Sequence, residues 1–147
     1  MSNTPSVNKY QVGGEHYSRG GAIQHWDLVE LNGLGYLEGC ATKYVTRWRN
    51  KNGVQDLEKA VHYITKLIYL SRPSYVTILG MQFSRKPLRS NRVRYPLVVS
   101  LEAYSEAYEL TKNEELIIHL LLTWSKQDHL YEARSLIIGL INSQIKV

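Results

Sequence analysis

Lys43 and Arg47 stand four residues apart, with Gly39 one helical turn before them and Lys51 one turn after. On a helix this spacing places both cations on one strip. Like charges so placed repel, and a glycine inside a helix costs about 1 kcal/mol relative to alanine. The strip therefore weakens its own helix and suits an anion, with Arg47 as a planar fork and Lys43 as a point charge. A solvated basic face is the competing reading. Upstream, His16 and Tyr17 lie between two double-glycine segments, Gly13-Gly14 and Gly20-Gly21. Such a loop suits ligand reading, and equally a structural histidine. His16, Tyr17, Lys43, Arg47 and Lys51 form the candidate phosphate-binding set. No catalytic residue is assigned. Asp27 and Asp56 are candidate Mg²⁺ ligands if phosphate is transferred. For Asp56, pairing with Arg47 or capping a helix is the commoner use.

Several chemistries are excluded. The chain has no Gly-x-x-x-x-Gly-Lys-Ser/Thr loop, no Gly-x-Gly-x-x-Gly after a strand and no His-Glu-x-x-His. Cys40 is the single cysteine, so an intrachain disulfide and a multi-cysteine zinc site are out. Beside Gly39 and Ala41 it reads as a packing residue. A reducing, cytoplasmic setting follows. No apolar run reaches the roughly 18 residues that span a membrane.

The elements that must position these residues are helical. The predicted architecture is mostly α: a three-helix N-terminal unit (1–72), a basic connector (73–100) that is irregular or a short β-hairpin, and a helical C-terminal extension (101–147). Helix one is expected over His25–Asn32, with Trp26, Leu28, Val29 and Leu31 on its apolar side. Helix two runs from about Leu37 to Arg49 on a stripe of Leu37, Ala41, Tyr44, Val45 and Trp48. Helix three, about Gln55–Ser71, buries Leu57, Ala60, Val61, Ile64, Leu67 and Ile68 and sets Asp56, Lys59, Tyr63 and Lys66 opposite. In the connector, residues 75–79 and 94–99 are the expected hairpin strands. The tail reads as three helices, capped by Ser100, Asn113 and Asp128. Leu116–Leu122 is too apolar for a free helix surface, which predicts a homo-oligomer.

The 147 residues carry 44% apolar and 21% charged side chains and a net charge of +5, the balance of a folded globular protein. The charge is uneven: residues 1–72 carry +3, residues 73–100 carry +5 with no acid, and residues 101–147 carry −3. Arg85, Lys86, Arg89, Arg92 and Arg94, near Phe83 and Tyr95, make nucleic acid or a host protein a second candidate partner.

Taken in order, Val12-Gly13-Gly14-Glu15-His16-Tyr17, Ile23-Gln24, Leu37-Glu38-Gly39, Lys43-Tyr44-Val45-x-Arg47, Lys51-Asn52-Gly53 and Asp56-Leu57-x-Lys59-Ala60-x-His62-Tyr63 resemble a family of small bacteriophage proteins, domain of unknown function number 3310. The resemblance covers about residues 10–70. It departs at Cys40, His25 and Trp48, where the family often has Asn, Pro, and His or Ala. The family includes a nucleotide kinase without a P-loop that acts on deoxynucleoside monophosphates. The resemblance thus implies a nucleotide ligand, Mg²⁺ if the chain is a kinase, and the cytoplasm of an infected host. A non-catalytic binder that sequesters a nucleotide signal of host defence is the alternative.

Overall fold

A computed structural model describes residues 23–72, 74–85, 93 and 96–145. Six α-helices lie among them: α1 (His25–Asn32), α2 (Tyr36–Arg47), α3 (Val54–Leu70), α4 (Leu101–Ala107), α5 (Lys112–Thr123) and α6 (Gln127–Ile145). A single 3₁₀ turn, Trp48–Asn50, extends α2, and two short strands, β1 (Ser74–Ile78) and β2 (Met81–Arg85), follow α3. The mostly helical class agrees with the sequence, and no helix among the described residues is long and apolar enough to cross a membrane.

α1 stops at Gly33, and α2 ends in the 3₁₀ turn. Gly53 then opens α3 with φ 60° and ψ −133°, a region that glycine alone enters without strain. Leu57, Ala60, Ile64, Leu67 and Ile68 form the buried stripe of α3. Helix α2 packs on α3, α3 on α6, α6 on α5 and α5 back on α2, closing a cycle of four helices. One apolar cluster fills it, with Val45, Leu57 and Ile64 from the first half and Ile117, Leu121, Leu130 and Ile137 from the second.

Polar bonds tie the halves together. The Asn32 amide donates to Val99 O and its oxygen accepts from Val99 N, both at 2.9 Å. Trp48 Nε1 donates to the buried Glu114 carboxylate at 2.9 Å, and Arg49 pairs with the same oxygen. Thr46 and Tyr104 hydroxyls bond at 2.7 Å.

Several expectations are corrected. Trp26 and Leu31 of α1 are about half exposed, while His25, Leu28 and Asn32 turn inward. The two polar residues tolerate burial because each has a hydrogen-bond partner. Asp56 is likewise buried, not on the outer face of α3. The hairpin pairs β1 with the adjacent β2, Ser74 opposite Arg85, because Leu79 and Gly80 both take positive φ and close a two-residue turn. The cap of α5 is Thr111: its hydroxyl accepts from Glu114 N, and the Glu114 carboxylate accepts from Thr111 N. Asp128 sits inside the first turn of α6. Ile117, Ile118, Leu120, Leu121 and Leu122 are buried within this one chain, so the run gives no argument for self-association.

Candidate functional site

The α2–α3 face brings cations and rings together. Lys43 Nζ lies 4.8 Å, the Arg47 guanidinium 4.7 Å and Lys59 Nζ 5.4 Å from the centroid of Tyr44. Tyr44 stacks on Tyr63 with centroids 5.8 Å apart, and Tyr36 meets Tyr63 edge-on at 6.3 Å. Three positive groups around one ring repel each other, and the ring quadrupole offsets part of that cost. The Tyr63 hydroxyl is pushed up to about 12 by the negative charge of the neighbouring Cys40 as thiolate and by its hydrogen bond with Tyr36.

Arg47 is not a loose phosphate grip. Its Nε donates to Asp56 Oδ2 at 3.1 Å and its Nη2 to Oδ1 at 3.3 Å. Asp56 is fully buried and also accepts from the Asn52 side chain and backbone, with Lys59 Nζ 3.9 Å away. The pairing reading of Asp56 therefore describes its place, and the carboxylate fixes Arg47 beside Tyr44. Asp27 accepts from Gln24 N at 2.9 Å at the start of α1. No group of three or more metal-ligating side chains occurs among the described residues.

Gly39 serves the packing of α1 on α2 and also lines the open space beside it. A Cβ there would stand 3.2 Å from Val29 Cγ1, so the missing side chain lets α1 pack close on α2. The open space lies alongside: a cleft of about 370 Å³ between α1 and α2. Trp26 and Tyr36 line it, 46% and 73% exposed, and His25, Cys40 and Lys43 form more of its wall. This size is in the range of small-molecule sites.

His25 is held neutral there. The Thr42 hydroxyl donates its proton to Gly39 O at 3.0 Å, so it accepts from His25 Nε2–H at 2.8 Å. The network assigns the Nε2–H tautomer and leaves Nδ1 an acceptor. Burial, then the charges of Lys43 and Arg47, push the imidazole down to about 3.

Of the sequence-derived set, Lys43 and Arg47 meet at Tyr44, while Lys51 is exposed in the turn before α3. His16, Tyr17, Lys86, Arg89, Arg92 and Arg94 lie outside the described residues, and Arg85 ends β2. Sequence reading missed Trp26, Tyr36, Tyr44, Lys59 and Tyr63 as site residues. The signal was present: aromatics and cations recur at three- and four-residue spacing on two adjacent helices.

The model of a family described as a protein of unknown function (DUF3310) matches residues 7–65, about two fifths of the chain. No curated protein and no solved structure matches. The match takes in α1, α2 and the first two thirds of α3, and so the cleft and the Tyr44 cluster.

Proposed function

We propose that the chain binds a nucleotide, with the base in the α1–α2 cleft and the phosphate on Lys43 and Lys59. One observation carries the reading. Lys43 lines the cleft and also lies over Tyr44 beside Arg47 and Lys59, so an aromatic-mouthed cavity opens onto a cluster of cations. Trp26 and Tyr36 supply stacking surface, and neutral His25 supplies an acceptor for a base N–H. Lys43 and Lys59 hold phosphate, while Asp56 keeps Arg47 in position beside Tyr44.

Binding without turnover suits this arrangement better than phosphoryl transfer, because both carboxylates first considered for Mg²⁺ already accept local hydrogen bonds. Calorimetric titration with each deoxynucleoside monophosphate tests the reading. Saturable binding that weakens at least tenfold in Lys43→Ala supports it, and heat no different from buffer at millimolar nucleotide refutes it. The same samples given ATP and Mg²⁺ report on the kinase activity that the resemblance implies: diphosphate product would assign it.

A further inference from the structure

Next to the nucleotide cleft lies a larger one, about 640 Å³, lined by Leu37, His62, Tyr63, Thr65, Lys66 and Tyr69. The two meet at the edge-on pair of Tyr36 and Tyr63, since Tyr36 lines the first and Tyr63 the second. The second cleft repeats the chemistry of the first. Lys66 Nζ lies 5.0 Å from the Tyr69 centroid, and Tyr69 is 56% exposed. Beyond it the Arg134 guanidinium is 4.9 Å from the Tyr131 centroid and donates to Thr65 Oγ1 at 3.2 Å. Arg72 donates to the Tyr131 hydroxyl.

We infer that the ligand continues across the Tyr36–Tyr63 pair into this second cleft, and that its class is a short single-stranded oligonucleotide. The inference rests on the nucleotide reading above and extends it. Tyr44, Tyr69 and Tyr131 each have a cation beside them, the combination that takes bases by stacking and phosphates by charge without reading sequence. Along α3, Lys59 and Lys66 are about 10 Å apart at the helical rise of about 1.5 Å per residue, and Arg72 lies just past the end of the helix. A mononucleotide cannot reach from Lys43 to Lys66 and Arg72, whereas a strand of several nucleotides can. No acidic residue occurs between Glu58 and Glu102, so α3 beyond Lys59 carries no charge that repels phosphate.

The test is competition against a labelled thymidine decamer, read by fluorescence anisotropy on the full chain. The competitors are dTMP, thymidine oligomers of two, four and ten units, and an abasic deoxyribose-phosphate decamer. Affinity is expected to rise at least roughly tenfold from monomer to tetramer, and the abasic decamer to bind roughly tenfold more weakly than the thymidine decamer. Lys66→Ala and Tyr69→Ala, both at exposed positions, should each weaken oligomer binding several-fold and leave dTMP binding unchanged. Flat affinity with length, equal binding of the abasic chain, or oligomer affinity untouched by both variants overturns the inference. If dTMP binds and length adds nothing, only this inference fails. If neither dTMP nor the oligomers bind, the nucleotide reading fails with it.

Discussion

Arg47 and Asp56 face each other through two charge-assisted hydrogen bonds, 3.1 and 3.3 Å long, with the aspartate side chain shut off from solvent and the arginine side chain 11% exposed. They join the end of α2 to the start of α3, where the Tyr44 cluster is assembled. An ion pair so enclosed contributes little net stability, but removing one partner strands the other charge. Arg47→Ala should therefore cost about 3–5 kcal/mol, and replacing both residues by apolar ones of similar volume considerably less. Urea unfolding of the two variants measures this. A loss under about 1 kcal/mol for Arg47→Ala would show that Asp56 finds water or another donor.

The spacing of Lys43 and Arg47 was legible in the sequence because helix geometry is local. The burial of Arg47 was not, because it depends on Asp56, nine residues on and across a turn. The limits of α1, α2 and α3 follow from periodicity and from Gly33 and Gly53, and the structure places them within a residue or two. What the sequence hid is tertiary. Leu116–Leu122 looked like surface seeking a partner, and the partner is the cleft formed by three other helices of the same chain. His25 and Asn32 looked like the polar side of α1, yet both are buried, since Thr42 and Val99 satisfy them. The cluster at Tyr44 needed the register of α2 against α3, which no single helix encodes.

Folding stability should depend on pH through His25. Its folded value of about 3 lies below the ordinary 6.5, so between these limits the unfolded chain binds the extra proton. The contribution of neutral His25 is whole above pH 6.5 and is lost progressively as pH falls towards 3, amounting to about 2 kcal/mol by pH 5. His25→Gln, which keeps a donor for Thr42 and has no titrating group, should flatten this part of the curve. Chemical denaturation at pH 7 and pH 5 compares the two proteins, and an unchanged pH slope in the variant would assign the dependence elsewhere.

Residues 101–145 complete the core of the part that matches the family. Asn32, Thr46 and Trp48 all take their partners from residues 99–114. A fragment ending at residue 72 loses those partners and is missing half of the four-helix cycle, so the apolar face of α2 and α3 is left uncovered. It should show no cooperative thermal transition by circular dichroism, whereas the full chain should. In the full chain, Asn32→Ala should cost about 2–3 kcal/mol, since Val99 N–H and C=O both lose their partner. A fragment that melts cooperatively would contradict this reading of the interface.

In the proposed complex the nucleotide enters between α1 and α2 and reaches the cations at Tyr44. Backbone amide shifts of isotope-labelled protein, followed during titration with a deoxynucleoside monophosphate, test that most directly. The predicted result is saturable shifts at Trp26, Tyr36, Cys40, Lys43 and Tyr44, with the far end of α6 unmoved. Absence of shifts at millimolar nucleotide, or shifts confined to residues away from α1 and α2, would contradict it.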